Sequence, residues 1–236
     1  VIEDSLVEDS TIINSAQGMQ FRHSGVSNNV ARNITAYRNA ARVTADGKGV
    51  LVTFRDAAHD NFVEDSYGYD LDNGFYFYES GEDTPDPDFY QPLGVDNIVE
   101  NCIVSNSNVA IYVGTDTDHP ATPPVVDATG NKWINCTFVD CPDLFFVQAA
   151  DNFGSTNEIT NCIVDTCADD NGGAGTLGVT YSYSTFTGGF ATPAGTGNES
   201  TDPLLNVSFV PQVAFASIDA SKIASVPYDK DGEERA

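Results

Sequence analysis

The stretch Val99-Glu100-Asn101-Cys102-Ile103-Val104 recurs with small changes at residues 134–139 and 159–164. Looser copies lie upstream, and alignment of all copies places one Asn or Asp at a shared position: Asp9, Asn33, Asp65, Asn101, Asn135 and Asn161. Successive members of this set are 24, 32, 36, 34 and 26 residues apart. A repeat of this length, rich in β-branched residues, is typical of a solenoid. The Asn or Asp suits the left-handed backbone of a tight turn between two short strands.

A further predicted strand follows most of these turns. It covers Gly18–Phe21, Gly74–Tyr78, Ala110–Val113 and Leu144–Val147, and insertions delay it to Gly49–Phe54 after Asn33 and to Gly178–Tyr181 after Asn161. Three strands per repeat with an Asn at one corner resemble the right-handed parallel β-helix of the pectate-lyase-like superfamily. The resemblance covers residues 1–188. It implies an all-β, right-handed, single-stranded parallel β-helix (solenoid) of about six to seven coils.

The end of the chain has a different character. Residues 191–201 are rich in Gly, Thr, Pro and Ala, which predicts a loop. The later stretches Ser200–Leu205, Ser217–Ser221 and Asp229–Arg235 resemble the terminal segment of secreted bacterial and archaeal β-helix proteins. We therefore expect parallel β-helix coils over 1–188 and a C-terminal loop and capping segment over 189–236. Because the sequence opens on strand-like residues, we also expect further coils before Val1 or self-association.

The charge balance restricts the partners. The chain has 35 acidic and 10 basic residues, for a net charge of −25. Such a surface repels nucleic acid and anionic membranes, and no apolar stretch is long enough for a membrane span. The composition favours an extracellular or cell-surface protein, either one kept soluble by its carboxylates or a halophilic one adapted to high salt.

The five cysteines are predicted to be structural. Cys102, Cys136 and Cys162 each follow a corner Asn and should stack in one column, while Cys141 and Cys167 should form a second. Buried small apolar side chains are the simpler interpretation. A Cys141–Cys167 disulfide is the alternative, and zinc is disfavoured because no CxxC motif is present.

Strand alternation predicts the binding face. With Val50/Val52, Phe75/Phe77, Ile111/Val113, Phe145/Val147 and Val179/Tyr181 inward, two outward rows follow. One contains Gln20, Leu51, Tyr76, Tyr112, Phe146 and Thr180, and the other contains Arg22, Thr53, Tyr78, Gly114, Gln148 and Ser182. Exposed rings suit the C–H faces of sugars, so Tyr76, Tyr112, Phe146, Gln148 and Arg55 are predicted to bind a polysaccharide or cell-surface glycan. The alternative is that long loops bury these rings.

The resemblance implies polysaccharide-lyase chemistry more readily than hydrolysis. In such lyases a base removes a proton beside a uronate carboxylate, whose charge Ca²⁺ or Arg neutralises. The catalytic candidates on the predicted face are Arg22, His23, Tyr78 and Glu79, and Asp70, Asp72 and Asn73 are candidate Ca²⁺ ligands. No complete catalytic set of the family is present. The alternative function is therefore a non-catalytic adhesin, spike or filament component of a salt-adapted organism or its virus.

Overall fold

The computed structural model describes residues 2–3, 5–13, 18–22, 26–37, 49–55, 57–79, 93–115, 127–148, 152–167, 169–188, 191–202 and 205. His23 and nearly all of the predicted capping segment lie outside these ranges. Every helix or strand assigned to the described residues is a β-strand. The strands are β1 (Ile2–Glu3), β2 (Leu6–Ile13), β3 (Met19–Arg22), β4 (Val26–Ser27), β5 (Val30–Tyr37), β6 (Val50–Arg55), β7 (Phe62–Glu64), β8 (Tyr67–Tyr69), β9 (Asn73–Glu79), β10 (Ile98–Glu100), β11 (Ile103–Ser105), β12 (Val109–Thr115), β13 (Asp127–Ala128), β14 (Lys132–Ile134), β15 (Thr137–Val139), β16 (Asp143–Val147), β17 (Asn152–Thr160), β18 (Ile163–Asp165), β19 (Asp169–Asn171), β20 (Thr176–Ser182) and β21 (Thr185–Phe186).

All pairings between these strands are parallel. The chain runs through β7, β8 and β9 and then through β10, β11 and β12, which pair with the first three in the same order. Strands β14, β15 and β16 add the next layer. The described residues thus form a parallel, solenoid-like β-fold, with one sheet of thirteen strands and one of six.

The predicted corner column is confirmed. Its six members have positive φ angles between 51° and 56°: Asp9, Asn33, Asp65, Asn101, Asn135 and Asn161. Side-chain amides link neighbouring coils, as where Asn101 Nδ2 donates to Asp65 Oδ1 and Asn135 Nδ2 donates to Asn101 Oδ1, both at 3.3 Å. Asn and Asp fit here because their short polar side chains tolerate the left-handed region.

Two further corner columns lie five residues before and after this one. The earlier column contains Asn28, Asp60, Asp96 and Gly130, and the later one contains Asp70, Asn106, Asp140, Thr166 and Gly188, all with positive φ. Each full coil therefore turns at intervals of five residues and places a three-residue strand between turns. Of the three columns, only the central one was predicted from the sequence.

A buried asparagine ladder runs four residues before the central corners. Its members are at most 4% exposed: Asn29, Asn61, Asn97, Asn131 and Asn157. From Asn61 onward, each side-chain oxygen accepts two bonds from the preceding Asn, as where the backbone N and Nδ2 of Asn97 donate to Asn131 Oδ1, each at 3.1 Å. Each Nδ2 also donates to a main-chain carbonyl, for example from Asn97 to Ala58 at 3.0 Å. The ladder thereby satisfies polar groups that burial would otherwise leave costly.

The core fills the space between the two sheets. Val63, Val99, Trp133 and Ile159 stack in register and are at most 1% exposed. The ring of Trp133 packs against Phe77, Phe145 and Phe153 with centroids 5.6–6.3 Å apart. In-register stacking thus brings residues that are distant in sequence into one continuous core.

The cysteine columns are confirmed as buried stacks of thiols. Cys102, Cys136 and Cys162 each follow a central corner. The Cys162 thiol accepts a bond from the backbone N of Cys136 at 3.3 Å, and Ser184 Oγ accepts one from the backbone N of Cys162 at 3.1 Å. All five cysteines are free and buried. Burial is the main cause that raises the pKa of Cys136 and of Cys162, so both remain neutral thiols.

We find no helix in the described residues whose length and hydropathy would suffice for a membrane span.

Candidate functional site

The predicted binding face lies on the six-stranded sheet, whose strand order is β19-β16-β12-β9-β6-β3. Register places Gln20, Thr53, Tyr76, Tyr112 and Phe146 in one row across this sheet. The next row contains Arg22, Arg55, Tyr78 and Gly114. Gln148 extends it, because its backbone N donates to Val113 O at 2.9 Å. We call the surface formed by Tyr76, Tyr78, Tyr112, Phe146, Arg22, Arg55 and Gln148 the aromatic face.

The rings of the first row are in contact. Tyr112 and Phe146 are stacked, with centroids 5.0 Å apart and an interplanar angle of 12°. Tyr76 meets Tyr112 edge-on at 5.0 Å. Tyr112 and Phe146 are half-buried, whereas Tyr76 is only 8% exposed. The predicted stripe of exposed rings is therefore wrong at Tyr76, whose ring is enclosed by its neighbours, and holds in part at the other two positions.

The second row brings a cation against an aromatic ring. The Arg55 guanidinium lies 5.1 Å from the centroid of Tyr78, within the range of a cation–π interaction. Arg22 is the register neighbour of Arg55 on the adjacent coil. Arg55 is 5% exposed, and Arg22 and Tyr78 are half-buried. Of the predicted catalytic residues, the structure therefore brings Arg22 and Tyr78 into one row.

Gly114 leaves room for the Tyr112 ring. A Cβ atom at this glycine would lie 2.6 Å from Tyr112 Cε1 and 2.5 Å from Gln148 Oε1. Both distances are shorter than real Cβ contacts, so a larger residue would displace the ring, the amide or both. Gly114 was predicted in the second outward row, but its role in leaving space for the Tyr112 ring was not predicted. Its position directly beside a predicted row of rings was the available signal.

The predicted rows are wrong at two strands, which affects Leu51 and Thr53 on β6 and Thr180 and Ser182 on β20. Leu51 is fully buried in the core, and Thr53 rather than Leu51 pairs with Tyr76. Strand β6 is buried at every position, so simple alternation does not apply to it. The strand at Val179–Tyr181 belongs to the thirteen-stranded sheet, where Tyr181 pairs with Ile159 and Thr180 pairs with Glu158. Its predicted place against β16 is taken by the polar strand β19.

The other two catalytic candidates are His23 and Glu79. His23 lies outside the described residues. Glu79 ends β9 and pairs in register with Thr115, one position beyond Tyr78 and Gly114. Glu79 thus sits at the same margin of the sheet as the second row.

The calcium candidates belong to ladders between coils. Asp70 occupies a corner with a φ of 55° and accepts a bond from Asn106 Nδ2. Asp72 accepts a bond from Asn108 Nδ2 at 2.9 Å, and Asn73 is 5% exposed. The described part of the chain holds no group of three or more His, Cys, Asp or Glu residues arranged for a metal. The two carboxylates therefore have roles in coil stacking, and we assign no step to calcium.

A second aromatic cluster lies on the thirteen-stranded sheet. Tyr37 and Tyr69 are stacked with centroids 5.0 Å apart, and Tyr67 lies 5.2 Å from Tyr69. All three rings are half-buried. Desolvation is the main cause that raises the pKa of Tyr69, and the neighbouring tyrosines add to it. This cluster was not predicted, although the Tyr67-Gly68-Tyr69 alternation is its signal in the sequence.

Comparison of this chain with family models, curated proteins and solved structures gave no match. The all-β, parallel, solenoid-like architecture therefore rests on the strand pairing described above.

Proposed function

We propose that this chain is an extracellular or cell-surface right-handed parallel β-helix, of the pectate-lyase-like kind, that binds a polysaccharide along the aromatic face. In this proposal the helix has about six to seven coils over 1–188, and residues 189–236 form its loop and cap. The observation that carries the binding proposal is the half-buried stack of Tyr112 on Phe146 on adjacent coils, at 5.0 Å and 12°.

The face offers the chemistry that sugars require. The half-buried rings of Tyr78, Tyr112 and Phe146 offer π surface on which axial C–H groups can pack. Gln148 and Arg22 flank these rings and supply hydrogen-bond groups for hydroxyls. A platform of rings with a few polar groups at its margin is a common form of ligand site.

The net charge of the chain affects which glycans it can bind. At a net charge of −25, the chain repels a polyanionic glycan unless salt or cations screen the repulsion, whereas a neutral glycan meets no such barrier. Arg22 and Arg55 are register neighbours on the aromatic face, so they would oppose this repulsion locally. If the protein cleaves a uronate-containing glycan, Arg22 would neutralise the carboxylate and Tyr78 would be the base, with His23 and Glu79 as the remaining candidates.

One observation favours the alternative of a non-catalytic filament or surface component. Strand β2 carries three exposed large apolar residues at one end of the thirteen-stranded sheet: Leu6, Val7 and Ile13. An exposed apolar strand edge is suited to assembly rather than to catalysis.

A glycan panel tests the proposal. The protein would be incubated with neutral and acidic polysaccharides in low and high salt, with and without Ca²⁺, and binding and new reducing or unsaturated ends would be measured. We expect binding to at least one glycan class, weakened about tenfold or more in Tyr112→Ala. Tyr67→Ala, a ring on the other sheet, is the matched control. Lack of binding to every glycan, or equal loss in both variants, would overturn the proposal.

A further inference from the structure

The chain carries four Asn-x-Ser/Thr sequences, which are the acceptor motif for N-linked glycans. They begin at Asn33, Asn135, Asn198 and Asn206, and the first three lie within the described residues. Such a motif is short and arises often by chance. The surroundings of each amide therefore decide which of the three can carry a glycan in the folded protein.

The amide of Asn198 is fully used by the fold. Its Nδ2 donates to Tyr181 O at 3.3 Å and to Pro193 O at 3.1 Å, and its Oδ1 accepts a bond from Ser184 N at 3.2 Å. An N-linked glycan replaces one of the two amide hydrogens, so it would break one of the two donated bonds. Asn198 is therefore unsuited to carry a glycan in the folded state.

The amide of Asn135 is held from both sides by the central corner column. Its Nδ2 donates to Asn101 Oδ1 at 3.3 Å, and its Oδ1 accepts a bond from Asn161 Nδ2. Asn135 is half-buried, and the threonine of its motif, Thr137, is only 7% exposed. A glycan on this nitrogen would have to push apart side chains that link three successive coils.

Asn33 lies in the same column, but its side chain is exposed. Its Nδ2 donates to Asp9 Oδ1 at 2.7 Å. The neighbour on the other side is Asp65, whose ionised side chain has no hydrogen to donate, so the oxygen of Asn33 is not held as that of Asn135 is. Described coils flank Asn33 on both sides, so its exposure is a property of the corner itself.

We propose that Asn33 is the acceptor of an N-linked glycan supplied by a lipid-linked oligosaccharide. This inference rests on the extracellular or cell-surface location in the proposed function, because the motif is read on exported chains. In the transfer, Asn33 Nδ2 bonds to the anomeric carbon of the first sugar and releases one proton. The bond from that carbon to the lipid phosphate breaks, and its electron pair leaves with the phosphate. The nitrogen keeps one hydrogen, which is sufficient for the bond to Asp9.

The strand pairing of β5 fixes when the transfer takes place. Thr35, the hydroxyl residue of the motif, pairs in register with Thr11 on one side and with Tyr67 on the other. An enzyme can therefore read residues 33–35 only before these coils close. A glycan at Asn33 is then accommodated at an exposed corner as the coils form, whereas a glycan at Asn135 or Asn198 obstructs folding.

The position also keeps the glycan away from the aromatic face. Asn33 lies on β5 in the thirteen-stranded sheet, whereas the aromatic face lies on the six-stranded sheet. A glycan at this corner would therefore leave the proposed polysaccharide site open.

Peptide mass spectrometry of the folded protein, purified from the organism that makes it, tests the inference. We expect a glycan on the peptide that contains Asn33 and bare peptides for Asn135 and Asn198. Asn33→Gln and Thr35→Ala should each remove the glycan mass, and Thr35→Ser should retain it because serine also completes the motif. Thr137→Ala is the matched control, since it removes the motif of Asn135 in the same column and should leave the Asn33 glycan unchanged.

A bare Asn33 would overturn the inference, as would a glycan on Asn135 or Asn198 in the folded protein. Retention of the glycan in Thr35→Ala would also overturn it, because the transfer would then not depend on the motif. Polysaccharide binding is measured separately and should be unchanged in Asn33→Gln. A bare Asn33 in a protein that binds polysaccharide would refute this inference alone, and a glycosylated protein that binds none would refute only the proposed function.

Discussion

The side-chain amide of Asn97 donates to Asn131 Oδ1 at 3.1 Å, although 34 residues separate them in the chain. The same bond recurs from Asn29 through Asn61 to Asn157, so one residue type links five successive coils in the interior. Every oxygen in the middle of this ladder accepts two bonds and every amide nitrogen donates at least two. A fully satisfied network of this kind fixes the register of the coils.

Replacement of one middle member should destabilise the whole fold. Asn97→Ala removes the acceptor of Asn61 N and Nδ2, both at 3.1 Å, and the donor to Ala58 O. Because each buried orphaned group costs about 1–3 kcal/mol, we expect a loss of at least about 2 kcal/mol in the free energy of unfolding. Urea denaturation followed by circular dichroism would measure it.

The matched control is Asn108→Ala. Asn108 donates to Asp72 Oδ1 at 2.9 Å in an exposed ladder, so its loss should cost less than about 1 kcal/mol. Equal losses for the buried and the exposed asparagine would contradict the role given to the buried ladder.

Substitution of Asn101 by alanine should reduce thermal stability more than substitution by glycine. The φ of 53° at this corner disfavours any residue with a Cβ by about 1–2 kcal/mol, whereas glycine adopts this conformation freely. Both variants lose the amide bond to Asp65. We therefore expect thermal stability to fall in the order wild type, Asn101→Gly, Asn101→Ala. A glycine variant no more stable than the alanine variant would argue against backbone conformation as the cause.

Gly114→Ala should impair the aromatic face more than the fold. The added methyl would lie 2.6 Å from Tyr112 Cε1, so the ring must move out of its stack on Phe146. We expect a measurable loss of glycan affinity in titration calorimetry, with a change in melting temperature smaller than that of Asn97→Ala. Asn108→Ala is the control, because Asn108 is exposed and does not belong to the aromatic face. Unchanged affinity in Gly114→Ala would remove Tyr112 from the binding site.

The thiols should be unreactive while the protein is folded. Burial raises the pKa of Cys136 and Cys162, and a hydrogen bond with Cys141 followed by burial raises that of Cys167. A thiol reagent at mildly alkaline pH should modify none of the five cysteines before unfolding and all of them afterwards. Rapid reaction of the native protein would contradict the buried columns.

The raised pKa values of these thiols also make the free energy of unfolding depend on pH. The native protein retains these thiol protons above about pH 8.5, where unfolded cysteines lose theirs. The unfolded state then binds fewer protons than the native state, so stability falls as pH rises beyond that value. Cys136→Ala should reduce the slope of unfolding free energy against pH between about 8.5 and 10, and Asn108→Ala should leave it unchanged.

Salt should raise the melting temperature if the acidic surface is an adaptation to saline conditions. The chain has 35 acidic and 10 basic residues, and the Debye length falls to about 3 Å at 1 M salt. Screening then reduces self-repulsion in the folded state. A melting curve in molar sodium chloride should exceed one in low salt, and a neutral osmolyte of equal osmolality serves as the control. A flat or falling response would leave solubility as the reason for the charge.

The solenoid-like fold was predictable because an Asn or Asp recurs at its central corner. The Asn ladder was equally visible, at four residues before each corner, but an interior Asn has no obvious use until the coils are stacked. The register of the aromatic face was harder to predict. Val50, Leu51 and Val52 are all buried, so β6 breaks the alternation on which the rows depended.

The strand after Asn161 shows a different difficulty. Strand β19 reads Asp169-Asp170-Asn171, a sequence with low intrinsic preference for a strand. It is held by tertiary contacts, including the bond from Val147 N to Asn171 Oδ1 at 3.0 Å. The more apolar residues 178–181 looked like the missing strand and instead extend the other sheet. Local propensity could not decide between them.

Each coil has one part of constant length, in which corners follow one another every five residues, and one part of variable length. From Asp60 to Asp70 and from Asp96 to Asn106 the chain spans the same number of residues, whereas the repeat length varies from 24 to 36. Among the coils of Asp65, Asn101 and Asn135, the difference in repeat length falls between the last corner of one coil, such as Asp70, and the first corner of the next, such as Asp96. That interval also contains one strand of the six-stranded sheet, such as β9 or β12. Foreign peptides grafted outside that strand would lengthen the repeat without changing the five-residue spacing of the corners, which makes the molecule a candidate scaffold for epitope presentation.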